Sequence, residues 1–105
     1  MKFLKLTVNT IRYQKEGVTM RDKQLFLIVK KHVDEMDHYG LLAGGAPADE
    51  FDIETREICE GLCAGQSAEE IAGIIAEVFN AYFNERGEAS TFLPTAEKIK
   101  KDLAI

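Results

Sequence analysis

The stretch SAEEIAGIIAEVFNAYF, residues 67–83, decides the fold. Ser67-Ala68-Glu69-Glu70 has the spacing of a capping box, in which a serine hydroxyl accepts the third amide of a helix and a glutamate reaches back to the amide of that serine. Behind it, Ile71, Ile74, Ile75, Val78, Phe79, Tyr82 and Phe83 recur at intervals of three and four, the period that gathers apolar side chains on one helical face. Ala72 and Ala76 in the same segment let a neighbouring helix approach closely. A helix this apolar belongs at the centre of a core, so the rest of the chain has to supply the faces that cover it.

Those faces are legible on both sides. Upstream, Leu25, Ile28, Val29, Val33 and Met36 form a helical stripe that Phe26 and Leu27 widen, and Thr55, Ile58, Cys59 and Leu62 continue a second helix that Gly61 weakens and Gly65 ends. Downstream, Glu88 to Thr91 is polar, Phe92-Leu93 is an apolar anchor, and Pro94 suits the first turn of a closing helix. Its Ala96, Ile99 and Leu103 face inward, while Lys98, Lys100 and Lys101 favour its negative end. The pattern predicts an all-α fold, a compact bundle or orthogonal array of four helices over about 22–38, 52–64, 67–84 and 94–104, with an irregular N-terminal segment.

Residues 20–105 read as a single helical domain and residues 1–19 as an N-terminal extension, disordered or arising from a mis-assigned start. Residues 3–13 alternate like a short strand, but no second strand-like segment exists to pair with it. Lys15-Glu16-Gly17-Val18 is what a purine-rich ribosome-binding site becomes when translated in frame, with Met20 following closely, so translation from Met20 is an expectation alongside translation from Met1. Lys5, Thr7, Asn9 and Thr10 interrupt what would be the apolar centre of a secretion signal.

Apolar residues make up 46% of the chain and charged residues 30%, the profile of a soluble globular protein, and no run reaches the ~18 to 20 apolar residues of a membrane helix. Residues 1–31 carry eight Lys or Arg against Glu16 and Asp22, whereas residues 32–105 carry five against sixteen acidic residues. The acidic body argues against nucleic acid and is compatible with a basic protein partner. Cys59 and Cys63, the only cysteines, do not make an extracellular disulfide framework and are read as small buried core residues, which leaves the cytoplasm as the expected compartment.

The connection between the first two helices breaks local rules. Asp34, Glu35 and Asp37 put negative charge at the already negative end of the first helix, which points to a site or to tertiary ion pairs. Gly40, the Gly44-Gly45 pair and Pro47 end the helix, while Leu41 and Leu42 make the connection fold back onto the core. Folding back would let Asp37 meet the free amides near Asp52, or Arg56 one turn further on. The candidate binding surface is therefore Asp37, Tyr39, Leu41, Leu42, Pro47, Asp49, Glu50, Phe51 and Asp52, an apolar patch with an acidic rim.

No catalytic residue, metal site or cofactor is assigned. Asp49, Glu50, Asp52 and Glu54 lack the spacing of a calcium loop and are accounted for by the positive helix end; His32 and His38 are six apart and face different directions, His32 reading as a boundary residue. Cys59 and Cys63 are two thiols where structural zinc wants four ligands, and Gly44-Gly45 lacks the lysine and hydroxyl of a phosphate loop. The expected function is a non-enzymatic protein-interaction module. The alternatives are an immunity-like or antitoxin-like inhibitor of a basic toxic enzyme and a small metal-dependent enzyme.

The run Asp37-His38-Tyr39-Gly40-Leu41-Leu42, then Gly45-Ala46-Pro47 and Asp49-Glu50-Phe51-Asp52-x-Glu54, resembles the signature of the YugE-like family of small bacterial proteins (domain of unknown function 1871). The resemblance extends over about residues 23–104, including the Phe79 to Phe83 segment and the closing helix. It implies a small all-helical bacterial cytoplasmic protein and carries no activity with it.

Overall fold

The computed structural model describes residues 20–103, so the expectations for residues 1–19 lie outside it. Four helices follow one another: α1 (Met20–Met36), α2 (Asp52–Gly61), α3 (Ala68–Phe83) and α4 (Leu93–Leu103). Short 3-10 turns at His38–Gly40 and Ala89–Phe92 lie in the connections. The described residues are all helical, without a strand, and none of these helices is long and apolar enough to cross a membrane. α3 packs on α2 and on α4, and α1 closes the ring by packing on the same two helices, giving a four-helix bundle.

α3 begins as its sequence dictates. Glu70 N donates to Ser67 Oγ at 3.0 Å and Ser67 N donates to Glu70 Oε1 at 2.8 Å, closing the capping box. The face beyond it buries Ile71, Ala72, Ile75, Ala76, Val78 and Phe79, while Tyr82 turns outward and Ile74 and Phe83 stay half-buried. Val29 and Val33 of α1, Ile58 of α2, and Ala96 and Ile99 of α4 complete the core with Phe92. Gly61 has a packing reason to end α2: a Cβ there would lie 3.1 Å from Ile74 Cγ2, so the bare backbone is what lets α2 reach α3.

Three expectations are corrected. Leu27, read as part of the widened stripe of α1, is 61% exposed. His32, read as a boundary residue, is buried between α1 and α4, its Nε2 2.6 Å from Asp102 Oδ2 and its Nδ1 3.3 Å from Glu35 Oε1. Cys63, read as buried, is exposed. Leu27 lies at the edge of the α1 stripe, and Cys63 lies past the end of α2 in the loop that leads to α3.

Each misplaced carboxylate at the end of α1 finds a partner, although Asp34 Oδ1 is left buried without a hydrogen bond. Glu35 takes His32, and Asp34 takes Lys30 at 2.9 Å. Lys30 Nζ also donates to Asp52 Oδ1 at 2.7 Å and to Ala48 O at 2.8 Å, tying α1 to the start of α2. Burial alone would lower the Lys30 pKa, but its hydrogen bonds to Asp52 and Asp34 raise it, so the ammonium is held charged. Asp37 does not reach Asp52 or Arg56. Asp52 already belongs to Lys30, and Arg56 lies over the Phe26 ring, 5.4 Å from its centroid.

The hydrogen bond from His32 holds the Asp102 carboxyl below its ordinary pKa, with Lys31 and Lys101 pushing the same way. A depressed carboxylate contributes stability above its unfolded pKa of ~3.9 and loses it as pH falls through the lower folded value. Urea denaturation between neutral pH and strong acid should therefore show a steeper acid loss of stability for the native chain than for Asp102→Asn. Identical acid limbs would mean that the contact with His32 adds nothing in solution.

Candidate functional site

The connection of residues 37–51 is built by its own backbone. Asp37 departs from the helix into the left-handed region (φ 48°), which ends α1 two residues before the sequence pattern suggested. From there its carboxylate straddles two amides of the same connection, Oδ1 accepting from Leu42 N at 2.7 Å and Oδ2 from Ala43 N at 3.0 Å. Successive turns follow, with Gly44 N bonded to Gly40 O and Ala46 N to Leu41 O at 2.9 Å each, and Asp52 N to Asp49 O at 3.0 Å. Gly45 has φ 105°, a conformation that side-chain-bearing residues rarely adopt, so the diglycine serves turn geometry.

Tyr39 is also left-handed (φ 61°, ψ 11°), and it is 67% exposed. Its ring rests 4.4 Å from the His38 ring and 5.8 Å from that of Phe83. His38 is enclosed: Phe79, Phe83 and Phe92 lie 4.8, 5.0 and 5.9 Å from it, and its Nε2 is 3.0 Å from Glu85 Oε1 beyond the end of α3. His38 is thus the pin that fixes the connection to α3, and Tyr39 is the aromatic that the pin carries to the surface.

The predicted surface divides once it is placed. Tyr39, Pro47, Asp49 and Glu50 are exposed together on the connection. Leu41 and Leu42 are half-buried against the core, and Asp37 is occupied by its two amides. Asp52 is occupied by Lys30. Phe51 does not belong to the surface: it is fully buried, its ring 5.9 Å from that of Phe79. Among the described residues no three His, Cys, Asp or Glu side chains gather to hold a metal ion.

The sequence reading did not foresee the burial of Glu54. Its side chain is 8% exposed on the buried face of α2, and Oε1 is closed to solvent without a hydrogen-bond partner. Burial raises its pKa, with Glu50 and Asp52 adding to the rise, while its own backbone amide and His38 oppose it. The signal that could have found it is the run Phe51, Glu54, Thr55, Ile58, a helical stripe at spacings of three, one and three that contains a glutamate.

A second region is a groove of about 520 Å³ between α1, the α2–α3 loop and the end of α4, lined by Leu25, Ile28, Leu62, Cys63, Asp102 and Leu103 among others. Its loop is fixed by Cys63 N bonded to Gln66 Oε1, Gln66 Nε2 to Gly61 O, and Lys100 Nζ to Gln66 O. The two thiols differ sharply. Burial pushes Cys59 up to about 12, with nearby Glu60 and Asp22 adding to it, whereas Cys63 opens to solvent. A thiol-specific disulfide reagent at mildly alkaline pH should modify one thiol in the native chain, lost in Cys63→Ser, and a second only in denaturant. Two equally fast thiols would contradict the burial of Cys59.

A scan against models of protein families finds no match, and searches of curated proteins and of solved structures find no significant relative.

Proposed function

We propose that this chain is a non-enzymatic protein-interaction module that presents its α1–α2 connection to a basic protein partner. The observation that carries the reading is Tyr39, a large aromatic held 67% exposed at a left-handed backbone position. A non-glycine residue in that region costs on the order of 1 kcal/mol or more, and such strain persists only where surrounding contacts over-determine it. Here the Asp37 chelate and the His38–Glu85 contact impose it, and their product is a displayed aromatic beside the exposed carboxylates of Asp49 and Glu50. Tyrosine ringed by charge is what a modest interface uses as an anchor.

The net charge of −5 supports a partner of opposite sign, since such a field speeds encounter. An inhibitor of a basic toxic enzyme is the more specialised form of the same proposal. The resemblance of residues 37–54 to the YugE-like family supports the further proposal that this is one of those small bacterial cytoplasmic helical proteins.

The test is affinity capture from the native host with the native chain, Tyr39→Ala, Glu50→Lys and Lys98→Ala. The expected result is a partner retained by the native chain and by Lys98→Ala, and weakened at least tenfold by Tyr39→Ala and Glu50→Lys. A partner captured equally by all four would move the interface off this face.

A further inference from the structure

His32 is held in a way that its chemistry satisfies in only one charge state. The ring is buried, 6% exposed, with Nε2 2.6 Å from Asp102 Oδ2 on α4 and Nδ1 3.3 Å from Glu35 Oε1 one turn along α1. An ionised carboxylate only accepts, and a neutral imidazole has a single N–H to give. Both contacts are hydrogen bonds only when the ring carries two protons. The carboxylates have an alternative that the ring lacks: the side chain of Glu35 is 51% exposed and that of Asp102 40%, so either can turn to water. Lys31 on α1 and Lys101 on α4 are the cations that act on the same Asp102 carboxylate.

This contact sits on the wall of a cavity. Asp102 and Leu103, at the end of α4, line the groove of about 520 Å³ opposite Leu25 and Ile28 of α1, with Leu62 and Cys63 as a further wall. The end of α4 is tied on two sides: Lys100 Nζ donates to Gln66 O of the α2–α3 loop at 2.6 Å, and Asp102 meets His32 of α1. Ile99 is fully buried and anchors the preceding turn, whereas Leu103 is only half-buried. The polar hold of the last turn of α4 on α1 therefore runs through the imidazole.

We propose that His32 is a pH-sensitive latch on this groove, joining α1 to the end of α4 as an imidazolium and letting the last turn of α4 lift away from α1 when it loses a proton. Histidine is the side chain whose charge ordinarily changes between about pH 5 and 8. The proton leaves from Nδ1 to solvent, beside the half-exposed Glu35, and the Nε2–H bond to Asp102 stays but is no longer charge-assisted. The latch is weakened and not erased, so the groove between Ile28 and Leu103 stands open for a larger share of the time at higher pH. An imidazolium bonded to carboxylates contributes fully at lower pH and loses its contribution as pH rises. The Asp102 carboxylate loses its own as pH falls into the acid range, so the latch is complete only between the two limits.

The experiment is hydrogen exchange followed by NMR on the full chain from about pH 5.5 to about pH 8.5, the range that brackets histidine, each amide rate being divided by its intrinsic rate at that pH. Protection of the Lys101, Asp102 and Leu103 amides should fall on the order of fivefold across the range, the difference between a charge-assisted and a neutral hydrogen bond. The fall is taken relative to the amides of Ile75 and Phe79 in α3, which register global unfolding. His32→Gln keeps a neutral donor toward Asp102 and should abolish the fall. Glu35→Gln replaces an acceptor by a group that can donate to the neutral Nδ1, and should move the fall to lower pH. Because Glu35 is half-exposed, that variant decides alone should His32→Gln fail to fold. Unchanged relative protection across the range in the native chain would overturn the latch, as would an undiminished fall in His32→Gln or an unmoved one in Glu35→Gln.

Discussion

The ring of Phe79 is where the connections of this fold meet. It is fully buried on α3, and it touches His38 from the α1–α2 connection at 4.8 Å, Phe51 from the start of α2 at 5.9 Å, Phe83 at 5.6 Å and Phe92 at 5.8 Å. Two of these contacts, with Phe83 and Phe92, are stacked, with ring planes within 17° of parallel. Aromatic pairs add of order 1 kcal/mol beyond the area they bury, so a residue with several such contacts outweighs any one surface ion pair here. The consequence is geometric as well as energetic. A connection that places both His38 and Phe51 against the same buried ring cannot shift without opening the core.

That constraint explains why the α1–α2 connection can hold two left-handed non-glycine residues. Asp37 and Tyr39 are fixed from both directions, from within by the amides of Leu42 and Ala43 and from without by the His38–Glu85 contact. Lys30 adds a third tie by joining Asp34, Asp52 and the carbonyl of Ala48 through one ammonium. An isolated surface salt bridge contributes little, but one cation shared by three oxygens at two helix ends fixes their separation. The acidic residues that looked misplaced at the end of α1 are therefore parts of the connection's architecture.

How much of this was legible depended on sequence separation. The capping box and the buried face of α3 rest on residues within about one helical turn, where spacing and chemistry determine the outcome, whereas α1 ends at Met36 on a left-handed Asp37 and not on Gly40. Leu27 and Phe51 show the limit. Leu27 matches the α1 stripe and is exposed because no element covers that edge; Phe51 sits among acidic loop residues and is buried because the turns of the connection deliver it to Phe79. The His32–Asp102 contact joins residues 70 positions apart and leaves no periodic trace at all. Of the candidate surface, the exposed members Tyr39, Pro47, Asp49 and Glu50 were legible, and Glu54 was not, since its burial follows only once Phe51 is known to face inward.

Asp52 and Glu54 make the clearest separation between what the fold requires and what it merely tolerates. Both carboxylates lie in the first turn of α2, where backbone amides and the helix dipole favour negative charge, and both are substantially removed from water. Helix physics alone would treat them alike. The structure does not: Asp52 completes a tie that determines how α1 meets α2, whereas Glu54 carries a burial penalty against a single acidic oxygen that nothing answers. A leucine or methionine at position 54 would continue the Phe51, Thr55, Ile58 face without that penalty. Glu54 is thus a position where the apolar packing of α2 and the charge its sequence places there pull in opposite directions.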